Sequence, residues 1–284
     1  MNHHSTIFMK NIFFLLLPLI ILGTACNNKS LIRPGEPINI SYDKAMSLYE
    51  KGKYSDAAEA FETVTRLGRG TNYAQNAQFY LAESYFKDER FLLAAAEYER
   101  FISYFPRDER REEVDYKRAL SFYEQSPRYR LDQSPTGKAI ELFQLFINNY
   151  PNSELITEAA SKIDDLRNKL ALKYLKAAEF YARIDMFKAA IIYYDLTIDQ
   201  FPESKWSEEA LVQQIKTYNR YASLSVDIKK AERYLNALSA YEKFIQLFPS
   251  SELRGEAEKF RDEAELGLKD VPSSSDENLS STNK

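Results

Sequence analysis

Cysteine is almost missing from this chain of 284 residues. Cys26 is its only copy, so no internal disulfide can form and the fold must be held by packing. Histidine is nearly absent too. His3 and His4 both lie in a segment with the features of an export leader. Once that leader is removed, no imidazole remains to complete a serine triad or ligate a metal in the usual ways. Glycine occurs eight times, and Gly68-Arg69-Gly70 lacks the lysine and hydroxyl that follow in a phosphate-binding loop. No serine sits in a G-x-S-x-G elbow. Acidic neighbours such as Asp164 and Asp165, or Glu112 and Glu113, point about 100° apart on a helix and form a solvated face rather than an acid–base couple. Positive charge is also short. A net charge of −4 provides no broad basic field, which argues against nucleic acid as a partner. Nothing in the chain calls for a cofactor.

What is present is a repeat. A small residue, an aromatic four on, a bulky or β-branched residue seven on and an aromatic-proline pair ending twelve on recur as Ala94-Tyr98-Phe101-Pro106, Ala139-Phe143-Phe146-Pro151, Ala190-Tyr194-Thr197-Pro202 and Ala237-Tyr241-Phe244-Pro249. Ala57, Phe61 and Val64 begin an earlier copy that carries Arg69 in place of the proline. Spacings of three and four put these side chains on one helix face, and the proline stops the helix. Each copy therefore predicts one helical hairpin, and the set predicts an all-α, tetratricopeptide-like solenoid of five hairpins. The first is expected over 42–67, with its turn at 51–54. The second spans the 34 residues 73–106, with Leu81, Ala82 and Tyr85 packed against the helix of Ala94 and Tyr98. Later closing prolines stand 45, 51 and 47 residues apart, so the later units carry extra chain. Unit three has an insertion at 125–135, QSPRYRLDQSP, which is either a contact surface or a longer loop. Unit five has an extension around 223–230. Ser153, Ser204 and Ser251, each after a proline, are placed to cap the next helix.

Lys10, an apolar run over 12–23 and the small residues Thr24 and Ala25 before Cys26 form a secretory leader, too short to span a bilayer comfortably. Cys26 occupies the place of a lipidated first residue, although Gly23 stands where such signals usually carry leucine. Residues 1–25 are thus expected to be removed, Cys26 to be acylated, 26–41 to act as a tether and 269–284 to be a disordered tail.

Twenty tyrosines and eighteen phenylalanines exceed what the repeat register uses. In such solenoids the first helix of each hairpin faces the concave groove. The expected groove positions are Tyr42, Tyr49, Asn76, Phe79, Glu83, Phe86, Tyr116 and Tyr123, each of which could serve in packing or in contact. As a set they suit an aromatic-rich peptide.

The leader, the five hairpins and the segment 131–135, LDQSP, followed by FQLFINNYPNSE over 143–154, resemble the BamD family of outer-membrane assembly lipoproteins. The resemblance covers about 42–266. It implies a non-enzymatic lipoprotein at the periplasmic face of the outer membrane, held by its N-terminal lipid. Such a protein docks on the barrel subunit BamA and works with other assembly-machinery subunits to receive unfolded β-barrel precursors. It also implies a division of labour, with 42–123 binding precursors and 124–268 docking the partner. The alternative is a peptidoglycan- or glycan-binding lipoprotein of the cell envelope, which would be expected to expose tryptophan, whereas Trp206 is the only one.

Overall fold

The computed structural model describes residues 31–271. Eleven α-helices follow one another: α1 (Ile38–Glu50), α2 (Tyr54–Leu67), α3 (Tyr73–Lys87), α4 (Phe91–Tyr104), α5 (Arg111–Gln125), α6 (Ser134–Asn149), α7 (Ile156–Arg183), α8 (Phe187–Gln200), α9 (Lys205–Ser223), α10 (Asp227–Leu247) and α11 (Arg254–Lys269). Helices α1 to α10 pair into five antiparallel hairpins, each helix packing on the next, and α11 closes the stack against α10 and α9. The described residues contain no strand, as the periodicity requires.

The recurrent register is the seam. Ala57, Phe61, Val64, Ala94, Tyr98, Phe101, Ala139, Phe143, Phe146, Ala190, Tyr194, Thr197, Ala237 and Phe244 are all buried. Tyr241 alone stays half-buried, its hydroxyl accepting from Arg261 at 3.3 Å. Before each closing proline the aromatic leaves helical geometry: Phe105, Tyr150, Phe201 and Phe248 have φ of −128°, −126°, −134° and −129°. The proline ring bars its predecessor from the α region, so one steric rule ends four helices in the same way. The first unit, without its proline, ends instead at Gly68.

Inside three hairpins the turn is also common. Gly52, Glu89 and Asp185 have φ of +71°, +58° and +60°. The amide after each reaches back five residues, as in Lys53 to the Leu48 carbonyl at 3.0 Å and Arg90 to Tyr85 at 2.9 Å. Ser204 caps α9 by accepting from the Trp206 amide at 3.3 Å. Ser153 and Ser251 make the same contact with the amides of Leu155 and Leu253 at 3.1 and 2.9 Å, just ahead of α7 and α11.

Extra chain in the later units goes mainly into helix. Helix α7 has 28 residues, about 42 Å of rise, and α10 has 21. The expected extension at 223–230 is therefore the end of α9, a three-residue connection at 224–226 and the first turn of α10. At the N-terminus order begins earlier than the expected tether boundary at 41. Ile32 is 5% exposed within the first core, Glu36 bonds back to the Arg33 carbonyl at 3.1 Å, and α1 starts at Ile38. The leader, Cys26 and residues 272–284 lie outside the described residues.

Three apolar clusters run along the stack. One fills hairpins one and two, a second joins α5, α6 and the first half of α7, and a third fills the second half of α7 through α11. Helix α7 links the second cluster, through Ile163 and Leu166, to the third, through Leu175 and Ala178.

Candidate peptide-binding face

First helices touch the first helix of the next hairpin between α1 and α3, α5 and α7, and α7 and α9, and α9 touches α11. Second helices make no comparable contacts, so the first helices form the inner wall of the curve. All eight expected positions lie on first helices: Tyr42 and Tyr49 on α1, Asn76, Phe79, Glu83 and Phe86 on α3, Tyr116 and Tyr123 on α5.

They divide by burial. Phe79, Glu83 and Tyr116 are 7%, 5% and 6% exposed and serve as packing. Tyr116 lies between Phe143 and Phe146, with ring centroids 5.6 and 5.4 Å away. Phe79 meets Phe101 at 5.9 Å, and its other side is covered by the Arg110 guanidinium at 4.6 Å and the Lys117 ammonium at 5.5 Å. Tyr42, Tyr49, Phe86 and Tyr123 keep part of their rings accessible, and Asn76 is exposed. Tyr42 packs on Phe61 at 6.0 Å and Tyr73 at 5.3 Å, Tyr49 on Tyr54 at 5.5 Å and Tyr80 at 5.2 Å, and Phe86 on Phe91 at 5.4 Å. Burial, with Glu83 nearby, pushes the Tyr49 hydroxyl up to about 12, so it is a neutral donor across the physiological range. Tyr123 carries the Lys162 ammonium 4.3 Å from its ring centroid and donates to Asp165 at 3.3 Å. The face is a row of half-buried rings edged by hydrogen-bonding groups.

Several polar residues of this wall were not among the expected positions. Within α5 the first apolar cluster, which ends at Val114, gives way to the second, which begins at Tyr116, and polar side chains link α3 to this step. Lys117 Nζ reaches Glu83 at 2.6 Å, Arg110 Nη1 reaches Asn76 at 3.0 Å, and Gln75 donates to Asp108. Glu83 also accepts from the buried Tyr98 hydroxyl. Burial works to lower the Lys117 pKa, but the Glu83 and Glu113 carboxylates outweigh it and hold the ammonium charged. A sequence signal for these pairs exists: Glu83 and Lys117, like Asn76 and Arg110, are 34 residues apart, one repeat length.

The expected division at 123/124 falls inside hairpin three, whose helices α5 and α6 share the second cluster. The insertion is the loop 126–133. It is held by Lys169 donating to Ser126 Oγ at 2.8 Å, Lys173 to the Leu131 carbonyl at 2.8 Å, and Gln133 Nε2 to the carbonyls of Arg128 and Leu131 at 3.0 Å each. No helix of the described residues is long and apolar enough to cross a membrane, and no cluster there is arranged to hold a metal.

Fold and face together define a helical-repeat protein whose first helices share one inner wall. Residues 35–233 match the family described as YfiO, outer membrane lipoprotein, and the chain belongs to that family. It is 23% identical over 189 residues to the outer membrane protein assembly factor BamD of Caulobacter vibrioides, covering 66% of this chain and 62% of that one, so less than two thirds of that relative is spanned. The BamD of Vibrio cholerae is 26% identical over 205 residues, covering 69% of this chain and 85% of its own. A TPR repeats protein from Bacteroides fragilis superposes with a TM-score of 0.45 at 13% identity, covering 81% and 98% of the two chains.

Proposed function

We propose that this chain is a non-enzymatic adaptor of outer membrane protein assembly, anchored by a lipid on Cys26 at the periplasmic face of the outer membrane. Its first helices receive unfolded β-barrel precursors, and its later hairpins dock on BamA. Family membership and relatives named as assembly factors support the setting. The observation that carries the ligand class is the row of half-exposed rings Tyr42, Tyr49, Phe86 and Tyr123 with Asn76 beside them on one wall. An extended precursor strand presents apolar side chains alternately, and spaced rings grip them one at a time while its backbone stays unpaired.

The anchor would stand close to this wall. Ile32 is packed in the first core, and five residues, or six Cα-to-Cα steps, separate it from Cys26, which limits the reach to about 20 Å. The first hairpin is then the part nearest the membrane.

Photo-crosslinking residues at Asn76 and Tyr123 are expected to trap barrel precursors in the envelope, and the same residue at Ile192 on α8 or Leu235 on α10, both exposed, to trap BamA. Adducts to peptidoglycan alone would replace this reading with the glycan-binding one.

A further inference from the structure

Beyond the inner wall, the insertion loop creates a second concave surface. Arg128, Tyr129 and Arg130 of the loop, Asp165, Asn168, Lys169 and Leu172 of α7, and Lys205 and Trp206 at the start of α9 enclose an open cleft of about 530 Å³. Four cations face one carboxylate there, in a chain whose net charge is −4. The exposed Arg128 guanidinium has no partner among the described residues. Arg130 donates from Nε only to the Tyr129 hydroxyl, at 3.0 Å, and the Lys205 ammonium sits 4.7 Å from the Trp206 ring centroid with no carboxylate bound. The loop that presents two of these cations is fixed in place. Thr136 donates to Gln133 Oε1 at 2.7 Å, and Gln133 in turn spans the loop to two of its carbonyls. The arginines are therefore displayed from a shaped support, which lowers the ordering cost of binding.

Between the cations the floor is apolar, formed by Tyr129, Leu172, Trp206 and the lysine stems. A small inorganic anion would make no use of that floor, and a flat bilayer surface cannot enter a concave cleft. An acidic chain segment with a large apolar side chain uses both parts: carboxylates on the arginines, a ring on the tryptophan.

We propose that this cleft binds an acidic segment of a partner polypeptide, with an aromatic side chain seated on Trp206. The inference rests on the reading of the later hairpins as a docking region and locates one contact within it.

Trp206 is the only tryptophan in the chain, so its emission reports the cleft directly. The probe is a synthetic hexapeptide, Asp-Glu-Asp-Phe-Glu-Asp, added to the full-length protein at low salt. A saturable change in emission is expected. Binding should weaken at least tenfold with Arg128→Glu/Arg130→Glu, and also when serine replaces phenylalanine in the peptide. Arg128→Gln/Arg130→Gln serves if the reversal variant melts early, and circular dichroism confirms that the variants fold. Equal binding by the variants, or no saturable change, overturns the proposal. So does a response to anionic vesicles or peptidoglycan fragments that the peptide fails to produce. Should the cleft fail while crosslinks from Ile192 or Leu235 still reach BamA, the docking reading survives without it; loss of those crosslinks sinks the docking reading itself.

Discussion

Glu83 accepts from the buried Tyr98 hydroxyl and from Lys117 where two apolar clusters meet, so it holds hairpin two to hairpin three. Removing one member of a buried pair leaves the others desolvated and unmatched, which costs more than the pair contributes. Glu83→Ala is expected to lower stability by about 3 kcal/mol in urea unfolding, and Glu83→Ala/Lys117→Met by less. A double variant as unstable as the sum of its singles would show the pair to be uncoupled. Asp108 carries a pH-dependent contribution. Hydrogen bonds from Arg110, working against burial and helped by Gln75, hold its carboxyl near 2, below its ordinary 3.8. A depressed pKa stabilises the fold fully above about pH 4, and that contribution is lost as pH falls toward 2. Asp108→Asn should therefore cost about 2 kcal/mol at neutral pH, with the gap to the parent closing between pH 4 and 2. A gap independent of pH would place the effect in packing. At this scale the register alanines and rings were legible, because burial follows directly from helical spacing. The roles of Phe79 and Tyr116 were not: a ring on the inner wall is contact or packing according to what lies over it, and the cations that cover Phe79, Arg110 just before α5 and Lys117 within it, come from the start of hairpin three.

Elements follow the same division. The four proline-terminated helices end where the sequence predicts, since the steric conflict is local to two residues. Helix α11 belongs to no copy of the register, yet it buries Ala257, Phe260 and Ala264 against the last hairpin and closes the stack. Its fit depends on Gly267, where an added Cβ would lie 2.3 Å from the Tyr234 ring of α10. Gly267→Ala is expected to cost about 1–3 kcal/mol and to loosen this cap. In a stack joined only by neighbours, the damage should stay local, so hydrogen exchange should quicken in α10 and α11 while α1 to α4 keep their protection. Uniform acceleration, or none, would contradict nearest-neighbour packing at this end.

For the whole molecule, the spacing between the lipid proposed on Cys26 and the first hairpin is the quantity of interest. Cys26→Ala is expected to release the protein from membranes on fractionation. A flexible Gly-Ser segment inserted between Ser30 and Leu31, enough to double the spacer, should leave it membrane-bound but reduce precursor crosslinks at Asn76. Undiminished crosslinks would mean that the stand-off does not matter. The sequence alone determined that the chain is a stack of helical hairpins, that its second helices are sealed by alanine and aromatic seams, and where most of those helices stop. These features arise from side-chain spacing and from steric limits between adjacent residues. Only the tertiary structure decided which rings stay open on the inner wall, that the core breaks within α5, between Val114 and Tyr116, and that a loop of hairpin three meets Trp206 of hairpin five to shape a cationic cleft. Exposure and local field are set by residues dozens of positions apart in the chain, and their distances are fixed only when the hairpins pack.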